Sequence, residues 1–386
     1  MAYAQGRRCF DADSHLMELP DFLRAHADPD VRERIPRVSV SAGGRLSANI
    51  EEFARRRAHT PEHVAQLVAL GDDLIAGPKG YLALGAFHSG ERRTALDLLG
   101  FERQLVFSTF AAGIAFAEAL PLDVRYAAAR AHNRGMAEFC ADDARLMGVG
   151  ALPLDDPART RAEAQHLIEL GLAAAWVPAR PCGGRSPGHG ELDPIWACLA
   201  EAGVPFVLHV GSAPLQLDAA WMNTGRPLPS DWLGGGENVR GKDMTSLHHA
   251  AETFLGTVVL DGVLERHPTL RGGAIELGAG WVPSMLRRLD WIAEIWRKSE
   301  PDLAALRRAP SEQIVAQLAF TPYPYEHVGK LIAESDERLY LFSSDYPHIE
   351  GGRNPIGRFE RTLDGVAPSV RERFYAENFA RLFPTA

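Results

Sequence analysis

Eight short apolar, β-rich runs punctuate the 386-residue chain, and helical patterns lie between most of them. Continuous apolar runs bounded by turns suit strands buried on both faces, as in a parallel sheet. These two observations predict an α/β chain whose eight β/α units form a (β/α)8 TIM barrel. A third, the long segment 20–95 between the first two runs, adds a helical insertion after the first strand.

The runs are, in order, 8–12 (RCFDA), 104–108 (QLVFS), 146–152 (LMGVGAL), 173–177 (AAAWV), 204–210 (VPFVLHV), 270–275 (LRGGAI), 317–321 (QLAFT) and 339–343 (LYLFS). Helices are predicted over 124–141, 157–170, 194–202, 245–254, 263–267 and 281–297. The 20–95 segment carries helical patterns such as 60–75 and a Gly/Pro turn at 77–80, and reads as a cover over the barrel mouth. Residues 211–244 are rich in Gly, Pro, Trp and Asn. A loop of that length is usually functional or disordered. Trp221, Met222 and Trp232 argue against simple disorder, so it reads as a long active-site loop. No repeat or low-complexity tract divides the chain, and 1–386 is read as one barrel domain.

Composition narrows the function. Forty-one Lys and Arg stand against 50 Asp and Glu, a net charge of −9 with the 14 His neutral. A nucleic-acid binder normally shows a basic face. The one basic cluster, Arg55-Arg56-Arg57, follows Glu51 and Glu52 and reads as a solvated helix face. No apolar run reaches the ~18–20 residues of a membrane span. The first residues lack the apolar stretch of a signal peptide. Cys9, Cys140, Cys182 and Cys198 are scattered without CxxC spacing. That fits a reducing cytoplasm and excludes a thiolate zinc site of the usual spacing. The expected partner is a small-molecule substrate, and a homodimer is the base-rate assembly.

Four places can carry chemistry. In Asp11-Ala12-Asp13-Ser14-His15, alternate side chains share a face of a strand, so Asp11, Asp13 and His15 are expected to point together into the mouth. An oxygen donor and an imidazole two residues apart can both reach one divalent ion. The alternative is a strand-to-helix cap. His209 ends the fifth run, where active-site residues of barrels cluster, or is a hydrogen-bonded core histidine. Glu276 ends the sixth run, and a carboxylate there is costly to bury unless paired or metal-bound. Its alternative is a first-turn helix carboxylate. Asp345 follows the eighth run, before a proline turn, and could be a plain turn aspartate. Independent bland explanations do not favour a shared position at strand ends. His348, three residues on, is either a surface-loop histidine or an imidazole held near the site. Its ordinary pKa suits proton transfer. Trp176 and Tyr346 are the candidate substrate-binding residues, with a core role as the alternative for Trp176. His248 and His249 start or lie in a helix and face different ways, so at most one can enter the site.

DADSH, LHVG, ELGAGWVPSMLRRLD and SSDYPHIEGG, at the first, fifth, sixth and eighth strands, resemble the amidohydrolase-related family. The branch is that of aminocarboxymuconate-semialdehyde decarboxylase and the resorcylate-type decarboxylases. HNRGMAEFCADDARLMGVGALPLDDP and YAENFARLF are similar to that family's middle and C-terminal patterns, so the resemblance spans essentially the whole chain. It implies a distorted barrel with one divalent metal at its mouth, held by Asp13, His15, His209 and Asp345. Two departures stand out. Glu276 replaces a histidine that assists catalysis in the best-known members, and Asp13 stands where Glu or His is more common.

The resulting expectation is a metal-dependent lyase that decarboxylates a small aromatic or unsaturated carboxylic acid. Asp345, His348 and Glu276 are its proton-transfer candidates. A hydrolase of an amide, lactone or C–C bond, with Asp345 as base, uses the same site. A barrel retained only for binding is the third reading, which the intact ligand set opposes. A site of two imidazoles and two carboxylates accepts Zn, Mn, Fe or Co. Zinc is the first expectation.

Overall fold

The computed structural model describes residues 2–38, 45–213, 217–226 and 241–384. Among the described residues, seven strands form one all-parallel sheet in chain order. They are β1 (Phe10–Leu16), β2 (Arg103–Ser108), β3 (Leu146–Ala151), β4 (Ala174–Trp176), β5 (Phe206–Leu208), β6 (Gly272–Ala274) and β7 (Leu318–Phe320). Apart from the half-buried Arg103, every strand residue is buried, as continuous apolar runs require. Gly272 is fixed by packing: a Cβ there would lie 2.4 Å from the Phe206 ring of the neighbouring strand.

The sheet curls until its edges face one segment. The eighth predicted strand, 339–343, is not a regular strand, which corrects the expected count. It makes single parallel bridges instead, from Tyr340 to Phe320 and, past its end, from Tyr346 to Ser14. On the β7 side, Phe320 N donates to Leu339 O (2.7 Å) and Leu341 N to Phe320 O (3.0 Å). On the β1 side, Ala12 N donates to Phe342 O (3.0 Å), Asp345 N to Asp13 O (2.9 Å) and His15 N to Tyr346 O (2.8 Å). The Asp11 carboxylate clamps the same seam, accepting from Ser344 N (2.7 Å), Ser344 Oγ (2.6 Å) and Gln104 Nε2 (2.9 Å). The architecture is consistent with a TIM-type barrel.

β1 runs four residues past its expected end at 12. Its register against β2 shifts between Asp11 and Ser14. That irregularity breaks the simple alternation expected for Asp11, Asp13 and His15. Asp11 is spent on the seam, while Asp13 and His15 face the site.

The helices follow local chemistry. Asp156 Oδ1 accepts from Ala158 N (3.0 Å) and Arg159 N (3.1 Å) at the start of Pro157–Glu169, with proline in the first turn. Leu122–Cys140 presents Asn133 to β3, where its side chain accepts from Ala151 N (2.7 Å) and donates to Ala151 O (3.1 Å). The expected helix at 245–254 begins later, as His249–Leu260, after a 3-10 turn at Asp243–Thr245. His248 precedes its first turn and stacks on Trp281 rather than entering the site.

Between β1 and β2 lie the helices Arg45–Arg56, Pro61–Val68 and Ser89–Leu99, and a 3-10 helix, Gly71–Ala76, stands where the expected helix 60–75 would end. This stretch is tied to the seam. Gly80 N donates to Pro347 O (2.8 Å), Tyr346 Oη to Leu84 O (2.7 Å), and the Arg92 guanidinium to His15 O. Of the expected 211–244 loop, residues 214–216 and 227–240, with Trp232, lie outside the described residues.

Candidate active site

Six buried side chains converge where β1, β5, β6 and the seam end. Asp13 and His15 come from β1, His209 from the residue after β5, Glu276 from two residues after β6, and Asp345 and His348 from the seam. Asp13 Oδ1 lies 3.4 Å from His15 Nε2 and 3.3 Å from His209 Nε2. Glu276 Oε2 is 3.4 Å from His209 Nε2. On the other side of His15, Asp345 Oδ1 is 3.5 Å from Nε2 and 3.2 Å from His348 Nδ1. Asp13, His15, His209 and Glu276 therefore form one group of donor atoms, and His15, Asp345 and His348 a second that shares His15.

The backbone at two of these positions is unusual. Glu276 has φ 56° and Asp345 φ 54°, the left-handed region that non-glycine residues avoid. Such conformations persist where the surroundings over-determine them, most often at functional sites. Beside Asp345, Gly351 must be glycine, because a Cβ would lie 2.0 Å from Ser344 O.

Proton positions follow from the hydrogen bonds. His209 Nδ1 lies 3.0 Å from Val210 O, a carbonyl that can only accept. Nδ1 therefore carries a proton, and Nε2 faces Asp13 and Glu276. The Thr109 hydroxyl donates to Leu16 O (2.9 Å) and so accepts from His348 Nε2 (3.0 Å). That leaves His348 Nδ1 as the basic nitrogen facing Asp345. The His348 ring stacks on His15 with centroids 3.7 Å apart. Burial holds the His15 pKa well below 6.5. His15 is thus neutral, as a ligand must be.

This set fits a divalent cation. An ion bound at about 2.0–2.1 Å separates its donors by roughly 3 to 3.5 Å, the spacing seen around Asp13, His15 and His209. His15 Nε2 and both Asp345 oxygens are enclosed and receive no hydrogen bond among the described residues. Asp13 and Asp345 meet no arginine or lysine in an ion pair among those residues. Buried carboxylates in that situation are costly unless a cation is bound.

The profile of the amidohydrolase family matches residues 89–385. The chain belongs to the amidohydrolase family. Its members' fold is seen in solved structures of similar shape. An amidohydrolase from Mycobacterium avium subsp. paratuberculosis K-10 superposes with a TM-score of 0.75 at 23% identity, over 98% of this chain and 99% of that one. 5-Carboxyvanillate decarboxylase from Sphingomonas paucimobilis gives 0.62 at 18%, over 98% and 99%. Dihydroxybenzoic acid decarboxylase from Polaromonas sp. JS666, with manganese and 2-nitroresorcinol bound, gives 0.61 at 18%, over 98% and 97%. No curated protein matches the chain.

The remaining expected residues of this amidohydrolase lie deeper. Trp176 is 2% exposed and meets His209 edge-on at 5.0 Å. Tyr346 is fully buried, with its hydroxyl given to Leu84. His348 is fully buried too, so it is not a surface-loop residue. Two contributors escaped the sequence reading. Thr109 directly follows β2, and nothing in the sequence marks it out. Lys79 comes from the 77–80 turn. Its ammonium is enclosed without a hydrogen bond among the described residues, 5.6 Å above the Tyr346 ring. Among the described residues, no helix is long and apolar enough to cross a membrane.

Proposed function

We propose that this chain is a metal-dependent carboxy-lyase acting on a small aromatic or unsaturated carboxylic acid. The observation that carries the reading is the approach of His15 and His209 Nε2 to within 3.5 Å of Asp13 Oδ1, flanked by two carboxylates on left-handed backbone. In this reading Asp13, His15, His209 and Asp345 hold one divalent ion, and Glu276 is a fifth donor on the His209 side. When bound, the ion supplies a Lewis acid that stabilises negative charge on the substrate's oxygens. Manganese in the Polaromonas decarboxylase supports a hard or borderline metal, with zinc, iron and cobalt accepted by the same donors.

The protein's own part is positioning and proton supply. Val210 O engages His209 Nδ1 and so aims Nε2 at the ion site. Thr109 engages His348 Nε2 and so aims Nδ1 at Asp345. His348 Nδ1 and Asp345 Oδ1 stand 3.2 Å apart and form the proton-transfer pair. This pair delivers a proton to the carbon that loses carbon dioxide. Trp176 and Tyr346 then back the pocket as rigid walls.

The test is elemental analysis of purified protein together with carbon dioxide release from a panel of dihydroxybenzoic acids. Release without consumption of water is expected. Hydrolysis of amides or lactones without carbon dioxide would replace this reading with the hydrolase one. His209→Ala is expected to stay folded while losing most bound metal and all turnover, and full metal occupancy in that variant would sink the ligand set.

A further inference from the structure

Beyond the metal-site residues, four charged side chains form an unbalanced group. Arg125 is ion-paired with Asp155, and Arg180 Nη1 lies 3.3 Å from the same carboxylate and 3.2 Å from Glu118 Oε1. The two arginine side chains and Asp155 are all under 10% exposed, whereas Glu118 is 62% exposed. Two buried cations therefore share one buried anion. The second positive charge is balanced only by a carboxylate that sits in solvent. An exposed ion pair is weak, while a buried charge without a full counter-charge is costly. The other partners of Arg180, the carbonyls of Phe116 and Pro181 and the Cys182 thiol, are neutral. They orient the guanidinium without cancelling it.

Arg180 and Glu118 line a cavity of about 380 Å³. Its other walls are largely apolar and include Pro181, Pro187 and Phe254. Ala179, Ala213 and Ala250 line both this cavity and the small pocket that His209 faces, so the two adjoin. An apolar chamber with an under-balanced guanidinium in its wall is suited to an organic anion rather than to an inorganic one.

We propose that this cavity is a vestibule that binds small carboxylic acids of apolar body, with Arg180 taking the carboxylate in exchange for Glu118. It rests on the lyase reading only for the fate of the bound acid, which passes from here to the barrel mouth.

Benzoate is the probe, titrated calorimetrically into the full-length protein. Glu118→Gln removes the competing carboxylate and is expected to tighten benzoate binding about fivefold, the scale of one exposed ion pair. Thr253→Trp, which fills the chamber from an exposed helix position, is expected to weaken it at least about tenfold. Arg180→Gln should weaken it as much, with Arg180→Lys restoring part of the affinity, and circular dichroism reports whether each variant folds. Unchanged or weaker binding in folded Glu118→Gln overturns the proposal, as does binding indifferent to Thr253→Trp. The two readings fail separately. Benzoate binding of this pattern without carbon dioxide release sinks the lyase and keeps the vestibule. Carbon dioxide release with KM unmoved in Glu118→Gln and Thr253→Trp sinks the vestibule alone.

Discussion

At Glu276 and Asp345 the chain holds carboxylates on backbone that a side chain beyond glycine adopts at a cost of roughly 1–2 kcal/mol. Each also adds negative charge to a buried cluster. Glycine at 276 relieves both terms, so Glu276→Gly protein freed of metal is expected to melt no lower than wild type while its turnover is lost. A clearly lower melting temperature would show that Glu276 is a structural group. Glu276→Gln separates the charge from the backbone: its fold should persist and its turnover fall, and wild-type rates would reduce Glu276 to a capping role. His348 calls for a different outcome. His348→Asn should leave metal content unchanged and lower turnover by roughly 10²–10⁴, the usual cost of losing a general acid or base. Loss of metal would make it a ligand instead. These residues were legible because strand ends are where a barrel exposes its chemistry. Thr109 was not, since a threonine after a strand carries no distinguishing pattern. Nor was the depth of Tyr346, which depends on residues from the distant 77–92 stretch packing over it.

At the level of elements, strand positions were readable, and strand limits failed at β1 and the eighth run. Every end of β2 to β7 falls within two residues of its apolar run, because those runs are buried on both faces. β1 extends beyond its run because polar residues follow it: Asp13, Ser14 and His15 break the apolar pattern while keeping extended backbone. The eighth run fails as a regular strand for a related reason. It leads directly into left-handed Asp345 and then Pro347, which has no N–H to give a ladder. Backbone bonds to β7 and β1 hold that segment, and the Asp11 carboxylate reinforces them. Asp11→Ala removes four hydrogen bonds and leaves Ser344, Gln104 and Asp13 donors buried. A loss of roughly 2–4 kcal/mol is expected in urea denaturation. A change below 1 kcal/mol would mean that the seam is held by backbone bridges alone.

Across the whole molecule, stability should depend on pH through Lys79. Burial lowers its pKa from 10.5 to about 8. The unfolded chain keeps that proton up to 10.5, while the native protein gives it up near 8. Below 8 the folded state therefore bears a penalty of about 3 kcal/mol, which is relieved as pH rises from 8 to 10.5. Lys79→Met is expected to be more stable than wild type at pH 7, with the gap closing towards pH 10.5, as followed by urea denaturation across that range. A constant gap would assign the effect to packing. The seam has a bearing on biosynthesis as well. Asp11 and Ser344 stand 333 residues apart along the chain. While the protein is being made, β1 leaves the ribosome with one edge unpaired, and it stays so until nearly the whole chain has followed. Asp13 and His15 have no Asp345 beside them during that interval, and no enclosed ion site exists. For the proposed ion site this defers metal acquisition to the completed chain: a ribosome-bound fragment ending before residue 339 should retain no stoichiometric metal, whereas released apoprotein should load it without unfolding.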